Sequence, residues 1–484
     1  MLAVAAGFAF AEGGGDAPKP AAGLARLADE MQQTPPAKLL PLLSERLAKG
    51  TTLRDLVAAG AIANARAFGG QDYNGYHTFM ALCPSFVMAS AMPEKERALP
   101  ILKVLYRNSQ LIHGGRCEKE DRLAPVEAKL DGTKPAAEQV RAATRAMQLP
   151  KAEAAFAALE GAPQEQYDAL QPMVQDDLNV HRTVLAWRAW ETLGFTGLGH
   201  ARAMLRQTVR FCADPRHSRR GDHPIRAALP KLLSDHKLEG RKPGAKKADD
   251  AWVEKLAGVV YKEPSAKAAE AVAAALAEGF SAESVGEALS LASTLLVLGD
   301  PGRPKEWASE AKPVGSVHGD SVGVHASDAS NAWRHIAQAS APHACASLVA
   351  AAWHTAGQAG RQMAELWPAK SDLGKVEEKD GDKLLSALGE AVKGKDQKRA
   401  CAVSARYLGL GHDAKALLAA LLSYSVSEDG ALHAEKYWHT AAEEYGRGRK
   451  AFRDKHLVAL ARVCASAWGK PADGVAEARK LLKA

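Results

Sequence analysis

The chain has 484 residues, of which 47 % are hydrophobic, 25 % charged and only 6 % aromatic; that balance is ordinary for a soluble globular protein and allows one large core or two to three domains. Ala dominates the apolar share and long Val/Ile/Tyr alternations are almost absent, which argues against a β-rich protein and for an all-helical one. The formal net charge is +7, yet 63 basic residues are scattered among 56 acidic ones; the densest runs, Arg216–Arg220 and Arg241–Lys247, fall in Gly/Pro-rich loops, so no basic face for nucleic acid is expected.

The chain opens on MLAVAAGFAFA, an apolar run ending in small residues, which resembles the core and cleavage site of an export signal with Ala11 as the last residue removed. It lacks a basic start. Residues 1–22 are expected to be a leader, and an exported or periplasmic location follows. No later stretch of 18 apolar residues occurs, so no transmembrane helix is expected. The six cysteines match no zinc or haem spacing.

Helical patterns fill residues 23–69, with Thr51 or Thr52 as an N-cap. A Gly-rich break follows, then an apolar helix near Tyr76 with His77 in its first turn, and a second apolar helix ending at Gly114. Residues 116–135 read as loop and 136–176 as two amphipathic stretches. Two packed helices come next, opened by His181 and by His200 and joined through a Gly-rich turn; such a turn before a helix can cradle an anion. A basic loop spans 213–225 and a linker 238–249. Helices resume from Asp250, and Ser281 is a good entrance to SAESVGEALSLASTLLVLG. The Gly/Pro-rich residues 300–320 form a loop long enough to act as a lid. One continuous helix is expected over APHACASLVAAAWHTAGQAGRQMAELW.

Two helices near the C-terminal end carry the same polar spacing. VHASDASNAWRHI presents His325, Asp328, Asn331 and His335; LHAEKYWHTAAEEY presents His433, Lys436, His439 and Glu443. At about 100° per residue, offsets 3, 6 and 10 fall within about 60° of one another. Each helix thus has one polar face among Ala, Val, Trp and Tyr. A His-x-x-Asp pair can orient an imidazole as general base or fix its tautomer for a metal. A Lys one turn from a His depresses both pKa values, which suits an oxyanion site. The plain alternative is a satisfied buried polar network, and for His77 and His181 a surface, capping or packing role. GDSVG places Ser321 between glycines, but a nucleophile elbow needs a preceding strand, so a helix entrance is expected there. No H-E-x-x-H, P-loop or dinucleotide fingerprint is present.

HASDASNAWRHI, the Ala-rich AAAWHTAG and DGALHAEKYWHTAAEEY together resemble the C-terminal half of questin oxidase-like proteins, including exported bacterial members. The matching positions are His325, Trp353, His433, Lys436, Glu444 and Tyr445, with His77 and either His181 or His200 fitting an earlier part of the pattern. The resemblance implies an all-helical fold and oxygen insertion next to a ketone of an aromatic substrate. The export-like start, the Gly/Pro loops and the charged linker depart from it.

The expectation is therefore an all-α, multi-helix array around a central His-lined pocket, with an N-terminal half (23–238), a linker (239–250) and a C-terminal half (251–484) packed as one unit. His325, tuned by Asp328, would serve as base, and Lys436 with His433 would stabilise an oxyanion. Tyr76, His77, His181, His200, Asn331 and His335 would bind a carbonyl-bearing or aromatic small molecule. Alternatively, His77, His325 and His433 hold Cu, Fe or Zn, or the chain is a non-enzymatic helical scaffold. NADPH is not supported, and the sequence sets no oligomeric state.

Overall fold

The computed structural model describes residues 23–67, 73–116, 124–217, 223–360 and 362–483. The export-like run lies outside them. Wherever the sequence spaces Leu, Ala and Val at helical period, the chain folds as helix, and among the described residues the only extended pairings are isolated bridges. The expected entrances hold. Thr52 and Asp55 bond each other's backbone N–H groups, the Ser281 hydroxyl accepts from the Ser284 N–H, and Ser321 caps its helix by accepting from the Val324 N–H. Ser321 also donates to the Val317 carbonyl at 2.7 Å, the role of a cap rather than a nucleophile.

Four helices matter most here: Tyr73–Ala91, Val180–Glu191, Val322–Ala339 and His433–Arg447. Each packs on the next and the last packs on the first, closing a ring. Successive contacts advance together along them. His181 meets His325, and further along Trp187 stacks on His335; His181 also meets His433, and further along Arg188 meets His439. In the first helix His77 meets His181 and, further along, Cys83 meets Glu191; the four therefore run in one direction, unlike an up-down bundle, and the long intervening segments return the chain to the starting end. Gly323 lets the third helix approach Ala282–Gly299 closely, since a Cβ there would stand 2.6 Å from the Val297 Cα.

Three expectations need correction. Residues 239–250 are not a free linker: Gly244 bridges to Ser281 and Lys246 to Phe280, and Arg449 Nη1 donates to the Ala248 carbonyl at 3.2 Å. One hydrophobic core joins residues of both halves. The helix after His343 stops at Gly357, because the next residues carry the backbone to Gly299 and Leu298 instead, through the Met363 and Trp367 N–H groups. The 300–320 loop is tied down by paired backbone bonds between Arg303 and the Gly315–Ser316 turn, and by the Ser466 hydroxyl, which accepts from the Val317 N–H and meets His318.

Ala282–Gly299 is the one described helix long and apolar enough to cross a membrane, and 78 % of it is buried inside the protein. Cys83, Cys212, Cys345, Cys401 and Cys464 are buried and form no disulfide, as small core residues do.

Candidate metal and substrate site

Each of the four parallel helices contributes one histidine from its starting end: His77, His181, His325 and His433. The imidazole centroids of His77 and His181 are 4.6 Å apart, those of His77 and His433 5.1 Å, and those of His181 and His325 5.1 Å. His325 Nε2 lies 3.2 Å from His433 Nε2. The ligand atoms of His77, His181 and His433 all fall within 4.8 Å of one another. The four rings line a cavity of about 230 Å³, completed by Arg107, Leu111, Lys312, Asp320, Ala431 and Leu432. Asn179 supports the second helix by accepting from the His181 N–H at 2.9 Å. Lys103 anchors the fourth, with Nζ 2.6 Å from Glu435 Oε1 and from the Glu428 carbonyl.

Burial holds His181, His325 and His433 neutral. It drives His181 and His433 well below the ordinary histidine value, with His77 adding to the effect on His181 and Lys436 to that on His433. His325 is pushed down to about 3 by burial and then by Lys436. A neutral imidazole keeps a lone pair for a metal or a proton. The Nδ1–H of His433 donates to the Ala431 carbonyl at 3.0 Å, which directs its Nε2 lone pair toward His325. Ala431 and Leu432 both take left-handed backbone, at φ 49 and φ 62, an uncommon pair for non-Gly residues and one that aims this carbonyl.

Beneath the cavity the two polar stripes meet in register. His325 faces His433 and His335 faces Glu443, each pair 108 positions apart, the latter at 2.9 Å. Between them Asp328 and Lys436 share one electrostatic neighbourhood. Burial raises Asp328 to about 6 and lowers Lys436 to about 8. Asn331 donates to Glu443 and Glu444 at 2.8 and 2.9 Å, and Arg334 pairs with Glu444 and Glu283.

The structure sorts the expected residues. It brings His77, His181, His325 and His433 together. His200 is not among the lining residues; its Nδ1 contacts the Thr196 carbonyl at 2.8 Å at the start of the next helix. Tyr76 turns to Phe211 and His217. Asn331 and His335 lie in the buried ionic layer rather than on the cavity wall. Asp328 does not orient His325; its Oδ1 accepts the Thr440 hydroxyl at 3.1 Å. The sequence reading missed Arg107 as a wall residue. Lys312 and Asp320 lie in or at the end of the loop picked out as a lid, and the signal there was the loop and not the side chains.

No family model, curated protein or solved structure matches this chain. Function must therefore be argued from the cavity.

Would an ion fit? Two imidazole nitrogens about 2.0–2.1 Å from one metal stand about 3.3 Å apart at a tetrahedral angle, and His325 and His433 are at 3.2 Å. His433 already has the tautomer a ligand needs. His325 would have to carry its proton on Nδ1, since without an ion its Nε2–H is the donor to His433. The donor set fits.

Proposed function

We propose that the four histidines hold a transition-metal ion and that the protein oxidises a small carbonyl-bearing or aromatic molecule in the adjoining cavity. The observation that carries the metal reading is the convergence of four imidazoles from four helices, three of them buried, with one nitrogen pair at ligand spacing. All-imidazole sets suit Cu, Fe or Zn. Such an ion, when bound, supplies Lewis-acid polarisation and, for Cu or Fe, electron transfer. The reaction class itself comes from the questin oxidase-like motifs at His325, Trp353, His433 and Lys436.

The chain's own residues do the rest. The Ala431 carbonyl holds the His433 ring in place. Lys436 supplies positive charge behind His325 and His433, favouring a negatively charged oxygen in the chamber. Asp328, its pKa raised by burial, is the carboxylate whose charge acts on Lys436 from the neighbouring helix. A metal-free oxygen-inserting enzyme, with dioxygen as oxidant, His325 as base and Lys436 with His433 stabilising an oxyanion, is the second reading.

Elemental analysis of the purified protein, before and after reconstitution with Cu, Fe and Zn, tests the metal. We expect one stoichiometric ion, lost in His77→Ala and His433→Ala while the helical circular dichroism is kept. Substoichiometric metal as purified and after all three reconstitutions would overturn the reading.

A further inference from the structure

We infer that the cavity takes a small organic carboxylate. The inference rests on the reading of the histidine cavity as the substrate chamber, and it adds the charge of the ligand. Four helix starting ends converge on this one chamber, each the positive end of a helix dipole. Among the described residues the wall carries two cations, Arg107 and Lys312, against one carboxylate, Asp320. Asp320 is already engaged: Lys312 Nζ reaches it at 2.7 Å and Arg303 pairs with it as well. Arg107 donates to a neutral partner, Gln110 Oε1, at 3.2 Å. Lys436 lies behind the histidines, with the carboxylates of Asp328 and Glu435 near it. An anion entering the chamber therefore gains from Arg107 and Lys312 on the wall, while the one wall carboxylate, Asp320, is already held by cations.

The donors favour a carboxylate over a phosphate. A guanidinium presents a planar fork that matches two carboxylate oxygens. Phosphate sites at helix starts use free backbone N–H groups, and side-chain caps already take some of these at two of the four starts. Asn179 takes the N–H groups of His181 and Arg182, and Ser321 takes that of Val324. At about 230 Å³ the chamber is also smaller than the cavities of roughly 300–1,000 Å³ that hold drug-sized ligands.

Benzoate and its neutral isostere benzamide test this by titration calorimetry, on the protein as isolated and after EDTA treatment. Benzoate should bind at least about tenfold more tightly than benzamide in both, and Arg107→Gln should remove about ten- to a hundredfold of the benzoate affinity with little effect on benzamide. Lys312→Met, on the other side of the wall, should weaken benzoate in the same sense and serves if the first variant does not fold. Equal affinity for the two probes, equal weakening of both by the variants, or inorganic phosphate displacing benzoate at a tenth of its concentration would overturn the inference. Co²⁺ binding, followed separately, distinguishes the two readings. Benzoate selectivity without Co²⁺ binding removes the metal and keeps the carboxylate, and the converse result removes the carboxylate and keeps the metal.

Discussion

His325 and His433 face each other at 3.2 Å, and the same 108-residue offset brings His335 to 2.9 Å from Glu443. Two helices aligned in parallel register thus carry the cavity at one end and a buried ionic layer further down. The layer should behave as structure, not chemistry. Glu443 also takes Arg447 at 2.9 Å, so Glu443→Gln leaves two partners short of a carboxylate. We expect a loss of about 3–5 kcal/mol in urea unfolding. A double-mutant cycle with His335→Gln should recover about 0.5–3 kcal/mol as coupling, and a coupling of zero would show that the two side chains act apart.

Lys436 depresses both His325 and His433. Replacing it with Met should raise both imidazole pKa values toward the ordinary histidine range. NMR titration of the imidazole protons in metal-free protein reads this directly. Unchanged titration in Lys436→Met would mean that burial alone sets these values.

His354 reports acid stability away from the cavity. Burial lowers it to about 4, and the Trp333 indole N–H donates to its Nδ1 at 3.2 Å. Below the unfolded value of about 6.5 the unfolded chain takes a proton that the fold refuses. This contribution is present above pH 6.5 and is lost as the pH falls toward 4. His354→Gln should flatten the stability curve in that window, by a few kcal/mol at most, as seen by urea denaturation at pH 7 and pH 4.5.

Asp176 acts in a lower window. Burial works against its charge, but Arg141 and Arg145 each bind it through two bonds of 2.6–2.8 Å and hold it below the ordinary value. Its contribution is complete above the unfolded value of about 3.9 and disappears as the pH drops through the folded one. Asp176→Asn should cost about 1–3 kcal/mol at pH 7, and the gap to wild type should close under strong acid.

Ala431→Gly should stabilise the protein by about 0.5–1 kcal/mol, because glycine accepts the left-handed backbone that alanine resists. A higher melting temperature is the readout. A lower one would mean that alanine's restriction of the unfolded chain outweighs the strain.

Much of this was legible in the residues, and the rest failed for physical reasons. Periodicity placed His325, Asp328, Asn331 and His335 on one face, and did the same for the His433 set. It could not show that the two faces meet, because a helical period identifies a side and not its partner. For that reason Asp328 was assigned to His325, one turn away on its own helix, when its oxygen bonds to Thr440 across the interface. His200 was misplaced because a Gly-rich turn before a helix reads the same whether the helix points at a cavity or elsewhere. Arg107 gave no signal at all, one of two cations, with Lys103, in an apolar helix otherwise suited to packing.

The parallel ring of four helices also constrains how the protein can be made. Its histidines are supplied by widely separated parts of the chain, the first by a helix starting at Tyr73 and the last by one starting at His433. Contacts of such high sequence separation close late in folding and slow it. Until the His433 helix docks, the chamber lacks a wall and His325 lacks its partner. On the proposed metal reading, ion loading would be coupled to completion of the fold, and a chain truncated before His433 would carry three of the four cavity histidines without the closed chamber that holds them.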